Sequence, residues 1–139
     1  MDIFTTIDIS ASALKAQRTR INTISSNLAN VETTSTPEGG PYKKKSVYFQ
    51  TKPIPFKEAL DASIQGVKVT KIVEDTKEPR KIYDPAHPDA AEDGYVAMPN
   101  ISVLKEMVDM MSATRSYESI TTVIKSAKRM ALKALEIGR

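Results

Sequence analysis

All eight prolines of this 139-residue chain (37, 41, 53, 55, 79, 85, 88 and 99) and four of its five glycines lie between residues 37 and 99, so both ends are free of helix breakers. Proline removes a backbone donor and clashes with the preceding turn. Two breaker-free ends around a breaker-rich middle predict two terminal helices and an irregular or β-rich insert. The expected fold class is α+β: long N- and C-terminal helices, residues 1–32 and 101–139, form a coiled-coil pair around a small β-rich module at 33–100.

The apolar pattern of the ends supports this. Ile7, Leu14, Ile21 and Leu28 recur every seven residues, with Ile3, Ile24 and Val31 at the companion positions of an a/d seam. Its faults are Ser10 and Gln17, polar at d positions. At the other end Val103, Met110, Tyr117, Ile124 and Ala131 repeat at seven, and Ala113, Ile120, Ala127 and Ala134 follow members of that row by three. The alanines allow a facing helix to approach closely. A second apolar row, Leu104, Met107, Val108 and Met111, flanks the first.

Both stripes could bury a small monomeric core, but length argues against it. At 1.5 Å per residue the expected helices run roughly 45 and 57 Å, whereas a compact domain of this size has a radius of gyration of only about 14 Å. Two apolar rows on one helix also imply more than one neighbour, and methionine-rich surfaces adapt to several packings. The chain reads as a subunit of an assembly.

Composition narrows the function classes. The net charge is only +3, and its excess lies on the last helix, where Lys125, Lys128, Arg129 and Lys133 complement the helix dipole. Nucleic-acid binding calls for a larger basic excess with stacking aromatics; tryptophan is absent and aromatics make up 6%. The absence of cysteine excludes disulfides, Cys-based zinc sites and thiol chemistry. Asp2 and Asp8 stand where a cleavable signal needs positive charge, and no segment has the roughly 20 apolar residues of a membrane span. A cytoplasmic protein, or one exported by a route independent of such signals, is expected.

In the middle, Thr33–Tyr42 is loop chemistry. Alternation predicts strands at 46–50 and 66–74, with short ones at 81–83 and 95–98, giving three to five strands in one module. Between the first two, 55–63 has a helix-like look, with Pro55 as its first residue. His87 stands between Asp84 and Asp89, but Pro85 and Pro88 make the segment an extended turn, and no second histidine exists to complete a metal set. With no nucleophile elbow, no phosphate loop and one histidine, no catalysis and no cofactor are expected. Lys43, Lys44 and Lys45 read as a strand edge blunted against aggregation or as a phosphate or lipid contact.

At Ser25-Ser-Asn-Leu-Ala-Asn-Val-Glu-Thr33, followed by Tyr42-Lys-Lys-Lys45, the chain resembles the bacterial flagellar rod and hook proteins. The longer link Thr34–Pro41 is similar to that of the proximal rod members. So are Asp84-Pro-Ala-His-Pro-Asp-Ala90, Gly94-Tyr-Val-Ala-Met-Pro-Asn100, Glu106-Met-Val-Asp-Met-Met111, Ala113-Thr-Arg-Ser-Tyr117 and Ala131-Leu-Lys-Ala-Leu-Glu-Ile-Gly138. The likeness is weakest over 51–80. One departure is Ile120, where the family usually carries an asparagine.

The resemblance implies a structural subunit of the proximal rod that transmits torque across the periplasm, exported by the flagellar type III apparatus without signal cleavage. Its terminal helices would form an inner layer and 33–100 an outer one. Partners would be the rod proteins FlgB, FlgF and FlgG, the membrane-ring and adaptor proteins FliF and FliE, and further copies of the chain in a helical hetero-oligomer. Neither nucleic acid nor membrane insertion is implied. The expected subunit interface comprises Ile7, Leu14, Ile21, Asn27, Leu28, Asn30, Tyr42, Val103, Met107, Met110, Met111, Tyr117, Ile120, Ile124 and Ala131. The alternative is a cytoplasmic coiled-coil adaptor.

Overall fold

The computed structural model describes residues 3–53 and 65–137. Helix α1 spans Ile3–Ala29 and helix α2 Val103–Ile137, with four strands between them: β1 (Lys45–Pro53), β2 (Gln65–Glu74), β3 (Arg80–Tyr83) and β4 (Tyr95–Met98). The α+β class and the order of elements are as expected. The helix-like 55–63 lies within residues 54–64, outside the described residues. The single module predicted from the strands is instead two separate antiparallel pairs, β1–β2 and β3–β4. Hydrogen-bonded turns over 84–94 join β3 to β4, and this pair makes no contact with β1–β2.

Local chemistry sets the helix ends. Ser102 caps α2, its hydroxyl accepting from the Lys105 N–H at 3.5 Å while its carbonyl takes the Glu106 N–H at 3.0 Å. At the end of α1 the Ser26 carbonyl takes both the Asn30 N–H at 3.1 Å and the Asn30 side-chain amide at 2.8 Å, which closes the last turn.

α1 is the central element, packing against α2 and against both strands of β1–β2. Arg20 of α1 reaches Asp109 of α2, and Asn27 reaches Glu106. Rising numbers on one helix meet falling numbers on the other, so the pair is antiparallel. Toward the hairpin, Ser12 accepts the Val67 N–H at 3.0 Å and Asn27 bonds the Lys45 backbone. Fifteen residues of helix cover roughly 22 Å. Thr51 pairs with Val67, so the matching strand length from Lys45 is six residues, roughly 20 Å. The hairpin therefore lies along α1 for most of its length. A register shift between Tyr48 and Phe49 leaves Thr70 unopposed, a β-bulge that adds twist where the strands follow the helix. The close approach explains Gly66, where a Cβ would stand 3.0 Å from the Ser12 hydroxyl.

The buried face of α1 is not the apolar row. Thr5, Ser10, Ala16, Thr23, Ile24 and Asn27 are buried, whereas Ile7, Leu14, Ile21 and Leu28 are half-buried. Small residues let α1 approach two neighbours at once. Their hydroxyls cost little to bury because Ser10 and Thr23 bond back to the carbonyls of Thr6 and Thr19, at 2.7 and 3.0 Å. On α2 the packed row is Glu106, Ala113, Ile120 and Ala127, and the row expected at the centre lies beside it: Met110, Ile124 and Ala131 are half-buried, Val103 and Tyr117 exposed. Leu104, Met107, Val108 and Met111 are all more than half exposed.

Among the described residues only six aliphatic side chains and Pro99 are buried, while sixteen large hydrophobic ones are exposed. The accessible surface is 10,230 Å². A folded monomer of 15.3 kDa is expected to expose about 7,100 Å². The surplus of roughly 3,000 Å² is what a subunit with uncovered helices carries.

Candidate functional site

Two features stand out: a buried polar junction that joins three elements, and the apolar faces the helix pair leaves uncovered.

The junction centres on Asn27, which is 1% exposed. Its amide donates to the Lys45 carbonyl and to Glu106 Oε2, both at 2.9 Å. Its oxygen accepts from the Lys45 N–H at 2.9 Å and the Tyr42 hydroxyl at 3.2 Å. Both donors and both lone pairs are used. Toward Lys45 the side chain acts as a neighbouring strand would, taking the backbone groups that β2 leaves uncovered. Ser26 in turn lies 3.2 Å from the Tyr42 hydroxyl; since that hydrogen points to Asn27, Ser26 is the donor. Asn30 accepts from Thr33, and the Tyr42 N–H closes the intervening loop on the Thr33 carbonyl at 3.0 Å.

Glu106 is 2% exposed. Its Oε2 takes Asn27, and Oε1, which has no hydrogen bond of good angle, lies 2.5 Å from the Lys44 ammonium as an ion pair. A buried carboxylate is tolerable only with such a partner. This corrects the reading of the lysine triplet, neither a bare strand edge nor a lipid contact throughout: Lys44 compensates Glu106, Lys45 opens β1 and lies 5.7 Å from the Tyr42 ring, and Lys43 alone is exposed.

Asn27 is thus enclosed within its own chain, with Tyr42 beside it, and Asn30 is half-buried at the helix end. Glu106 and Lys44 were missed as site residues. The signal was a carboxylate at seven-residue spacing ahead of Ala113, Ile120 and Ala127 on one helix, with an asparagine near the end of the other.

The uncovered faces hold the rest of the expected interface. At 100° per residue, Leu104, Met107, Val108 and Met111 lie on the side of α2 opposite Glu106, Ala113 and Ile120. Among the described residues α2 packs against α1 and against no strand, so that side is open. Starting from the Asn27–Glu106 contact, α2 continues for 31 residues to Ile137 and α1 for 24 back to Ile3. The last turns of α2 therefore overhang, and Met130, Leu132 and Leu135 are exposed there. Ile7, Leu14, Ile21 and Leu28 form a half-exposed strip on α1.

Elsewhere, 84–90 forms the expected turns, with His87 Nδ1 accepting the Asp89 N–H at 3.1 Å. Among the described residues no group of three or more His, Asp or Glu could hold a metal ion, and no helix is long and apolar enough to cross a membrane.

Residues 7–35, which contain most of α1 and the Asn27 motif, match the family described as flagella basal body rod protein. Residues 92–137, containing α2 and Glu106, match the C-terminal region of the flagellar basal body rod FlgEFG proteins. The chain is 45% identical over 150 residues to the flagellar basal-body rod protein FlgC of Bacillus subtilis, covering 100% of both chains. The chain belongs to the FlgC family of flagellar basal-body rod proteins. It is 41% identical to FlgC of Escherichia coli O157:H7 and 40% identical to that of Salmonella typhimurium, in each case over 139 residues and 100% of both chains. The two regions that match the wider rod families each contribute one side of the Asn27–Glu106 contact. In this chain the two family-matched ends therefore meet in one buried junction.

Proposed function

We propose that this chain is a structural subunit of the proximal rod of the bacterial flagellum, lying in the periplasm and exported by the flagellar type III route without signal cleavage. α1 and α2 pack into an inner layer, coiled against the helices of neighbouring subunits, and residues 33–100 lie outside. The partners are further copies of the chain, the rod proteins FlgB, FlgF and FlgG, and the ring and adaptor proteins FliF and FliE. The observation that carries the reading is the surplus accessible surface together with the exposed second apolar face of α2. A monomeric protein gains nothing from Leu104, Met107, Val108 and Met111 on that face; a subunit buries them against a neighbour. Torque is then carried by many helix contacts in parallel.

The test is replacement of the FlgC-family protein in a flagellated host. The unaltered chain should restore rods and swimming. Leu104→Asp with Met111→Asp should abolish rods while the purified variant keeps the thermal melt of the parent, since both side chains are exposed in the single chain. A swimming strain carrying both substitutions would refute the proposal.

A further inference from the structure

The described chain carries two surfaces of opposite charge that do not touch. On β1–β2 the cross-strand pairs Tyr48–Lys71 and Gln50–Lys68 lie on one face, because Tyr48 and Gln50 are two residues apart, and Lys52 continues that face. Tyr48, Lys52, Lys68 and Lys71 are all exposed, and the Lys71 ammonium lies 5.8 Å from the centre of the Tyr48 ring. None of these three lysines has a carboxylate partner among the described residues.

The other surface is the β3–β4 loop. From Ile82 to Leu104 the chain has no lysine or arginine. Asp84, Asp89, Glu92 and Asp93 are exposed within it. The loop is preorganised: Asp84 N–H donates to the Gly94 carbonyl at 3.0 Å, Ala91 N–H to the Tyr95 carbonyl at 3.0 Å and Gly94 N–H to the Ala91 carbonyl at 2.8 Å. Gly94 holds φ at 76°, and the Tyr83 and Tyr95 rings meet edge to face with centres 5.3 Å apart. Asp89 accepts the Thr34 hydroxyl at 2.6 Å, tying the loop to the segment that leaves α1. The loop is thus a fixed acidic projection beside an exposed tyrosine, Tyr83.

We propose that the acidic β3–β4 loop of one copy docks on the basic face of β1–β2 of the next copy. Charge complementarity selects the occupant: an acidic loop with an exposed ring meets a basic face with an exposed ring, and within one chain the two hairpins make no contact, so both surfaces are left for a neighbour. The two patches are different surfaces, so the contact is head-to-tail and propagates helically. Single exposed ion pairs contribute little, but several of fixed geometry set register and orientation between copies. This contact rests on the rod reading above, since it requires adjacent copies, and it is distinct from the helical faces invoked there.

A charge exchange tests it. In a host lacking its own FlgC-family protein, Lys68→Glu with Lys71→Glu, and separately Asp89→Lys with Glu92→Lys, should each reduce swimming-ring expansion at least about twofold. One chain carrying all four substitutions should recover most of the loss. Thermal melts of the purified variants check folding; where loss of the Thr34 contact lowers the melt, Glu92→Lys with Lys71→Glu replaces the four-residue exchange. Single reversals without effect, or a combined chain no better than the worse of the two, would overturn the contact. If the unaltered chain itself built no rods, the rod reading would fail and this contact with it.

Discussion

At the residue scale the chain depends on how Glu106 is compensated. Two ion pairs link the ends of the molecule to their neighbours, and their surroundings decide their worth. Arg20–Asp109 spans 3.3 Å, with side chains 31% and 38% exposed, and such a pair contributes at most about 1 kcal/mol. Lys44–Glu106 places a carboxylate that is 2% exposed against an ammonium that is 20% exposed. Removing one member of a buried pair costs about 3–5 kcal/mol, whereas replacing both by apolar groups is often neutral. Lys44 keeps some solvent, so we expect Lys44→Ala to cost about 3 kcal/mol, the low end of that range. Lys44→Met with Glu106→Gln, which removes both charges and keeps an acceptor for the Asn27 amide, should cost clearly less than Lys44→Ala alone, and Asp109→Ala less than about 1 kcal/mol. Urea titrations of the purified variants give the three values directly. Equal costs for Lys44→Ala and Asp109→Ala would show that the junction is not the buried pair described.

At the element scale, the strands and helices were legible because proline and glycine confine the irregular chain to the middle and leave periodic apolar patterns on either side. The strands at 95–98 and 66–74 were expected within a residue of where they form. The packed faces of the helices were less legible. α1 uses Ser10, Ala16 and Thr23 because it lies between two neighbours and needs small side chains, and the self-satisfied hydroxyls of Ser10 and Thr23 look polar to any apolar count. α2 uses Glu106 at the head of its packed row because a partner 62 positions away in sequence neutralises it, and such a pairing has no local signature. What the apolar count did find on α2 includes Ile120 and Ile124, half-buried on and beside the packed row. Ile124→Asp forfeits part of the roughly 1.5–3 kcal/mol of a buried isoleucine and forces a carboxylate toward an apolar seam without a partner. Lys125 is exposed one position on. We expect Ile124→Asp to lower the denaturation midpoint of the purified chain and to prevent rod formation, and Lys125→Asp to leave both nearly unchanged. Similar behaviour of the two variants would mean that the packed face of α2 is drawn wrongly.

At the scale of the whole molecule, the division of labour is between the junction and the faces it orients. Asn27, Tyr42, Lys44, Lys45 and Glu106 fix the two helices and the hairpin at one end. Ser12 and Gly66 hold the hairpin further along α1. The apolar faces held in place by this frame are exposed in a single chain, and the family to which the chain belongs works as an assembly. The interface residues expected from the sequence accordingly separate into two sets. Asn27 and Tyr42 serve the frame, and Met107 and Met111 lie on the open face.

The central claim is that this face is covered when the chain assembles, and the chain's lack of cysteine allows a clean measurement. In a Met107→Cys chain the single thiol, at a position 52% exposed in the free subunit, is labelled with a maleimide in the purified protein and in isolated basal bodies. The account predicts rapid labelling of the free chain and at least about tenfold slower labelling in the rod, as expected for a side chain enclosed at the centre of an interface. Equal rates in the two states would contradict it.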